Sequence, residues 1–332
     1  MTIDRRTLLG TALALPVAAA GPVTQAQAAQ AQVPQSGMTP WPPAEHFRLW
    51  PGKAPGAPAK LPTPKPEMSG DPKRPELWMR GTADPIVGVY RPARPNGRAV
   101  LSIPGGGYGF VSLENEGIDV ASVLNPLGVT VFVLSYRLPG DGWANRADVP
   151  LQDAQRAMRL IRANAGRYGI DPAKLGVLGF SAGGHLAASL TVGHQDRVYA
   201  PVDTADSQSA RPDYTGLVYA VTSLSAPGLH SRSGNMLMGP NPSEEVLRRY
   251  NTPPRVTRET PPLFLAHAID DPLVPLEQSL DMLAAARAAK VPVEVHLYEK
   301  GGHGFGAKHL PESAPGRGWL ELYNKWVRTH VS

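Results

Sequence analysis

Residues 174–192 read KLGVLGFSAGGHLAASLTV, and this stretch decides the fold class. The apolar residues before Ser181 have the length of a buried strand, and the small and apolar residues after it are typical of a buried helix. The pattern G-x-S-x-G would place this serine on the sharp turn between the two elements, where the glycines relieve crowding. It therefore predicts a nucleophilic serine above a sheet. By itself, the pattern also fits an ordinary serine in a glycine-rich bend.

The rest of the chain alternates between strand-like and helix-like segments. Runs of strand length and β-branched content occupy 86–90, 98–103, 129–136, 174–180, 217–223, 262–268 and 291–298. Helical patterns occupy 115–127, 148–167, 182–193, 276–290 and 317–331. Several of the strands are apolar at every position, as in a sheet that is covered on both faces. The alternation predicts an α/β protein with a mostly parallel sheet flanked by helices on both faces.

A serine hydroxyl needs a base within hydrogen-bond reach and a third group that orients the base. The segment EKGGHGFG, residues 299–306, places His303 in a glycine-rich loop directly after a strand, and none of the other histidines has a comparable context. The last residues of another predicted strand are followed by Asp270 and Asp271. We favour Asp271 as the acid, because the loop after it would turn its carboxylate toward the histidine, and we expect Asp270 to cap the loop or the next helix.

The segment LSIPGGGYGF, residues 101–110, follows a strand with three consecutive glycines. Their unhindered amides could approach a developing oxyanion, so we expect Gly106, Gly107 and the amide of Ala182 to form an oxyanion hole. A nucleotide-binding loop is the alternative for this stretch. It would require an acidic residue at the end of a second strand about twenty residues further on, and the sequence has none there.

Size and composition fit a globular protein of 332 residues with 42% hydrophobic residues. The formal net charge is +5, but no run of five basic residues occurs, so we expect no nucleic-acid partner. The chain has no cysteine, which excludes disulfides and thiol chemistry. Histidines and carboxylates form no cluster at metal-ligand spacing, and we expect neither a metal nor another cofactor.

The first 31 residues have the pattern of a cleaved export signal. Arg5-Arg6 precede a short apolar stretch, which is typical of the twin-arginine type, although an ordinary secretory signal also fits. The stretch is short for a bilayer span, so we expect a periplasmic or secreted protein without stable membrane insertion. Residues 32–80 are rich in proline and predict an extended or irregular arm packed on the catalytic domain, which would span 81–332. Residues 224–260 predict a loop insertion of the kind that can act as a lid.

Five stretches resemble the α/β-hydrolase superfamily, and within it bacterial esterases close to the hormone-sensitive-lipase-like and carbohydrate acetylesterase groups. They are PGGGYGF, VFVLSYRL, GFSAGGHLAA, TPPLFLAHAIDDPLVP and GGHGFG. Many lipase-like relatives have a histidine before the three glycines. This chain has Pro104, which is similar to the exported acetylxylan-type esterases.

The resemblance implies hydrolysis of a small acyl ester, an acetyl ester on a carbohydrate above all, through an acyl-enzyme. Ser181 would attack, His303 would act as the base and Asp271 would orient it. We expect aromatic side chains in the nearby loops to contact the sugar: Tyr108, Phe110, Trp143 and Phe305. Two other functions stay open, a serine peptidase of the prolyl-oligopeptidase kind and a non-catalytic module that binds acetylated polysaccharide.

Overall fold

The computed structural model describes residues 40–224 and 231–331, and the predicted export signal lies outside them. Eleven strands are present in these ranges: β1 His46–Arg48, β2 Lys65–Asp71, β3 Arg74–Arg80, β4 Ile86–Tyr90, β5 Ala99–Ile103, β6 Val111–Ser112, β7 Thr130–Ser135, β8 Leu175–Phe180, β9 Thr215–Val218, β10 Leu263–Ala268 and β11 Val293–Tyr298. The α-helices there are α1 Asp119–Leu124, α2 Val149–Ala163, α3 Ala165–Tyr168, α4 Ser181–Gly193, α5 Ser231–Met238, α6 Glu244–Tyr250, α7 Glu277–Ala289 and α8 Trp319–His330.

Eight strands form the central sheet, in the order β1-β4-β7-β5-β8-β9-β10-β11. The pairs β1–β4 and β4–β7 are antiparallel, and every pair from β7 to β11 is parallel. All residues of β5, β7, β8 and β10 are buried, because helices cover both faces of the sheet. The carboxyl ends of these parallel strands meet at one edge, and the loops that follow them share one side of the molecule.

The predicted strands and helices are all present, with differences at their ends. The predicted strand 217–223 is wrong in its position, since β9 spans Thr215–Val218 and Tyr219 then takes a positive φ of 36°. The predicted helix 148–167 is interrupted at Asn164 between α2 and α3. The predicted helix 115–127 begins with a π-helical turn, Glu114–Ile118, before α1.

Much of residues 40–80 forms paired strands, where the proline content favoured an arm of extended or irregular backbone. The first strand, β1, is the edge strand of the central sheet, and β2 and β3 form an antiparallel hairpin that β6 extends into a second sheet. The turn between β2 and β3 is stabilised by a local hydrogen bond, which the amide of Lys73 donates to the Asp71 side chain across Pro72. Leu49 and Trp50 are buried and anchor this part of the chain, and Trp50 Nε1 donates a hydrogen bond to the Asp153 carboxylate.

The predicted loop insertion contains two helices in its described part, α5 and α6. Ser243 caps the amino terminus of α6, and its hydroxyl accepts a hydrogen bond from the amide of Val246. Two glutamates follow it in the first turn of the helix. Arg146 donates to the carbonyl oxygens of Asn235 and Met236 and so fixes α5 to the loop before α2. Movement of this insertion as a lid stays a prediction. In the described part of the chain, no helix combines the length and the apolar content that a membrane span requires.

Candidate active site

The turn between β8 and α4 holds Ser181 in a strained conformation. Its φ is +51°, a backbone conformation that residues other than glycine rarely adopt. The flanking glycines are required by close packing: a Cβ on Gly179 would lie 2.5 Å from Ala187 Cβ, and a Cβ on Gly183 would lie 2.2 Å from the carbonyl oxygen of Ile103. The G-x-S-x-G pattern therefore forms the predicted strand-to-helix turn.

The structure brings Ser181, His303 and Asp271 together from three loops. His303 Nε2 lies 2.9 Å from Ser181 Oγ, and His303 Nδ1 lies 2.7 Å from Asp271 Oδ2. With the Nδ1 proton facing the carboxylate, Nε2 is free to accept the serine proton. The arrangement has the hydrogen-bond order that an activated serine nucleophile requires.

Asp271 is held in its ionised form by its surroundings. Burial opposes its ionisation, but hydrogen bonds from His267 and His303 outweigh it, and the pKa of this carboxyl is held well below its usual range. Its other oxygen accepts from the amides of Leu273 and Val274. These contacts fix both the charge and the direction of the carboxylate.

His267 is a site residue that sequence reasoning missed. It lies inside a predicted strand and not in a loop, but its Nε2 lies 3.3 Å from Asp271 Oδ2 and 3.0 Å from the carbonyl oxygen of Val274. Ser279 Oγ lies 2.8 Å from its Nδ1. The turn after β10, in which the amide of Asp271 donates to the carbonyl oxygen of Ala268 at 3.2 Å, brings the two side chains together, and no sequence signal pointed to this contact.

Asp270 has the capping position that was expected for it. Its Oδ1 accepts from the amides of Gly301 and Gly302, at 2.9 and 2.8 Å. The carboxylate is exposed and holds the beginning of the loop that carries His303. The two neighbouring aspartates therefore serve the same loop at different points.

The three glycines after β5 form a loop beside Ser181. A Cβ on Gly105 would lie 2.9 Å from Ser181 Cβ, and one on Gly106 would lie 2.1 Å from the carbonyl oxygen of Phe110. Gly106 and Gly107 have φ values of +126° and +60° and line the same cavity as Ser181. Ala182 is the second residue of α4, so its amide has no partner four residues before it within the helix. The role of the Gly106, Gly107 and Ala182 amides as an oxyanion hole stays a prediction.

A cavity of roughly 750 Å³ opens above Ser181. Besides the glycine loop and His303, its lining contains charged or titratable side chains: Asp71, Arg74, Glu76, Arg80, Glu116, Arg232 and His309. The first four come from the β2–β3 hairpin, which sequence reasoning did not connect with the site. Trp78 of the same hairpin stacks on Phe110 with ring centroids 3.7 Å apart. The cavity therefore combines an aromatic pair with many polar groups.

Two of the four predicted sugar contacts are wrong in this structure. Tyr108 is 1% exposed and packs in the core, where its hydroxyl lies 2.7 Å from His185 Nδ1. Trp143 is 4% exposed, and its ring lies under the guanidinium of Arg137. Neither belongs to the cavity lining, whereas Phe110 and Phe305 do. Phe305, however, is only 2% exposed and packs edge-on against Tyr219, with ring centroids 4.6 Å apart. Aromatic residues in loops near the site satisfied the sequence criterion, but loop position alone does not decide which way a ring faces.

Two bacterial enzymes are similar to this chain in sequence. The chain is 32% identical to an acetylxylan esterase of Xylanibacter ruminicola over 65% of its own length and 43% of the relative's. It is 37% identical to the endo-1,4-beta-xylanase B of Butyrivibrio fibrisolvens over 62% of its own length and 32% of the relative's. The chain thus spans less than half the length of either relative.

Solved structures agree with the predicted fold. The acetyl ester-xyloside bifunctional hydrolase of Caldicellulosiruptor lactoaceticus superposes with a TM-score of 0.67 at 32% identity, covering 86% of this chain and 96% of that one. The carboxylesterase Cest-2923 of Lactobacillus plantarum shares the fold, with a TM-score of 0.61 at 20% identity over 80% of this chain and 97% of that one. The α/β-hydrolase prediction is confirmed. Residues 87–285, more than half of the chain, match the BD-FAE family model, and the protein belongs to the BD-FAE family.

Proposed function

We propose that this protein is a serine esterase that removes small acyl groups, acetyl above all, from carbohydrate through an acyl-enzyme. The observation that carries the proposal is the hydrogen-bonded chain from Ser181 Oγ through His303 to Asp271. The names of the relatives support the ester class, and the many polar groups of the cavity suit a hydroxyl-rich substrate better than a lipid.

The reaction would proceed in two steps. In the first, Ser181 Oγ attacks the ester carbonyl carbon while His303 Nε2 takes its proton, and collapse of the tetrahedral intermediate expels the sugar alcohol, which takes that proton back. In the second, His303 removes a proton from water, the resulting nucleophile attacks the acyl carbon, and Ser181 leaves with the proton. Asp271 stays ionised throughout and stabilises the imidazolium.

The negative charge on the carbonyl oxygen would be stabilised by the amides of Gly106, Gly107 and Ala182. Each such donor contributes about 3 kcal/mol to lowering the barrier in comparable enzymes. Of the candidates from the sequence, Phe110 is the better placed for contact with the substrate, since Phe305 lines the cavity but is 2% exposed, and Trp78 joins Phe110 because it lines the cavity beside it.

We further propose that residues 1–31 direct export and are removed, which would place the esterase in the periplasm or outside the cell. The pattern of charged, apolar and small residues in this segment supports the proposal. Sequencing of the mature amino terminus after expression with the full chain tests it. A terminus near residue 32 is expected, and a protein that retains residue 1 in the cytoplasm would contradict it.

The esterase proposal is tested by offering the purified protein 4-nitrophenyl acetate, a longer acyl ester, a proline-containing peptide anilide and acetylated xylan. We expect acetate release from the first and the last, and S181A should lower kcat by about a thousandfold or more. A wild-type protein that binds acetylated xylan without releasing acetate, or that cleaves only the peptide anilide, would contradict the proposal.

A further inference from the structure

The π-helical turn Glu114–Ile118 stands between β6 and α1, beside the candidate active site. The amide of Ile118 donates to the carbonyl oxygen of Leu113, five residues back, which is the wide spacing of a π-turn. Single π-turns are rare in proteins, and a large share of those known lie at functional sites. This one directs Asn115 and Glu116 into the protein, where they are 3% and 4% exposed.

The carboxyl group of Glu116 is bound to the glycine loop. Its Oε2 accepts a hydrogen bond of 2.6 Å from the amide of Gly105, the residue directly before Gly106 and Gly107. The backbone of Glu116 is fixed as well, since Ser102 Oγ in β5 donates to its carbonyl oxygen at 2.6 Å. Rotation of the Gly105 peptide would break its hydrogen bond to Glu116 and leave a buried amide without its acceptor, which is costly.

The other oxygen of the same carboxyl group reaches the His303 loop through Tyr219. The Tyr219 hydroxyl donates to Glu116 Oε1 at 2.7 Å and accepts from the amide of Gly306 at 3.0 Å. Its ring lies against the His303 imidazole, with centroids 4.9 Å apart. The positive φ of Tyr219 is a strained conformation of the kind that is retained where it serves a function.

The neighbouring residue makes a parallel connection. Asn115 Nδ2 donates to the carbonyl oxygen of Gly304 at 2.9 Å. The residues on both sides of Phe305 are therefore bound to one π-turn, Gly304 through Asn115 and Gly306 through Tyr219 and Glu116. Nothing in the general scheme of serine, histidine and aspartate requires these contacts.

We propose that Glu116 is a positioning residue for the esterase reaction: one carboxyl oxygen holds the loop of Gly106 and Gly107, and the other, through Tyr219, holds the loop of His303. The two loops would thus keep a fixed relation across Ser181. This inference rests on the proposed esterase function. A displacement of about 1 Å of a catalytic group can lower a rate by roughly a hundredfold, so a carboxyl group that touches no reacting atom can still affect turnover.

Titration of Glu116 would make turnover depend on pH, which a purely structural contact would not. Burial raises its pKa to about 8, and the nearby Glu76 adds to the effect, against the hydrogen bonds from Tyr219 and Gly105. The titratable groups around this network are Glu76, Glu114, Asp119, Tyr136, Tyr219 and His303. Because the pKa is raised, the group is neutral below about pH 8 and ionised above it, where its negative charge would oppose an oxyanion at the same loop.

The test compares wild-type enzyme with E116Q, E116A and Y219F, and uses Y214F as the matched control. Tyr214 is also a buried tyrosine with a bonded hydroxyl, but it donates to the carbonyl oxygen of Ala99, at the other end of β5 from the site. We expect kcat for 4-nitrophenyl acetate to fall about tenfold in Y219F and about a hundredfold in E116A, with KM within about twofold of wild type. Y214F should stay within about threefold. E116Q should lie between wild type and E116A, because its amide oxygen can accept from Gly105 but its NH2 group would reverse the bond to Tyr219, whose hydroxyl then loses its acceptor.

The pH dependence supplies the second readout, and it uses E116Q because this variant keeps the bond to Gly105 without the titration. We expect wild-type kcat to decline as the pH rises through about 8, and the decline to be absent in E116Q. Active wild-type enzyme with unchanged kcat in Y219F and E116A, or identical pH profiles for wild type and E116Q, would overturn the inference. An inactive wild-type enzyme would instead overturn the proposed function.

Discussion

The β8–α4 turn and the β2–β3 hairpin both line the cavity above Ser181, but different interactions determine their positions. The turn consists of consecutive residues whose identities are dictated by local sterics, as Gly179 and Gly183 show. The hairpin lies before the family-matched residues 87–285 and reaches the site through long-range pairing of β3 with β6. Under the proposed function, the two regions divide the work: sheet-end loops would supply the reacting groups, and the hairpin would supply contacts to the substrate.

The strongest test of that division concerns the loops. D271N should leave the fold intact and lower kcat by about ten-thousandfold on every ester, because the histidine would then be held in the wrong tautomer. D270N is the matched control, since this carboxylate contacts the same loop without touching the imidazole, and its kcat should stay within about tenfold. Steady-state kinetics on 4-nitrophenyl acetate and acetylated xylan measures both variants.

The opposite result for this pair would break the assignment of the acid. A silent D271N together with a severe D270N would transfer the orienting role to Asp270. Thermal unfolding of both variants is needed beside the kinetics, because Asp271 is buried and its replacement could also lower the free energy of unfolding.

A smaller effect is expected from the hairpin. W78A should lower kcat/KM for acetylated xylo-oligosaccharides by about tenfold and leave 4-nitrophenyl acetate within about twofold, because Trp78 lines the cavity but is not placed at the reacting atoms. F47A is the control from the same amino-terminal part of the chain. Phe47 lies in β1 and packs against Tyr168, and its replacement should leave kcat/KM unchanged for both substrates.

Equal losses of W78A on both substrates would contradict a role confined to sugar recognition. They would show instead that the stack of Trp78 on Phe110 holds the glycine loop in place. Arg80 makes such a structural connection in the present geometry, since its Nη1 donates to the carbonyl oxygen of Gly109 at 2.8 Å.

Sequence reasoning was most successful where chemistry and local sterics dictate consecutive residues. It brought together Ser181, Asp271 and His303 because strand ends in a parallel sheet meet at one edge and because each residue followed a predicted strand. The order of the two aspartates was accessible as well, since a carboxylate that caps glycine amides and one that faces an imidazole occupy different positions in a loop.

The remaining parts of the site depend on contacts between distant segments. The sequence of the β2–β3 hairpin is rich in proline and suggested an irregular arm, whereas its pairing with β6 is a tertiary contact. Tyr108 and Trp143 satisfied a criterion of loop position, but core packing determines where their rings lie. Glu116 gave no signal, because a glutamate in a helical pattern is ordinarily exposed and only the π-turn buries it.

The central claim is that Ser181 is the nucleophile, and covalent labelling tests it most directly. The purified protein would be treated with a fluorophosphonate, which phosphonylates activated serines with release of fluoride, and then digested for mass spectrometry. We predict one added group per chain, on the peptide that contains Ser181, with activity lost in proportion to labelling and far slower labelling in D271N. Loss of activity with the label on another residue, or full activity with Ser181 labelled, would contradict the account.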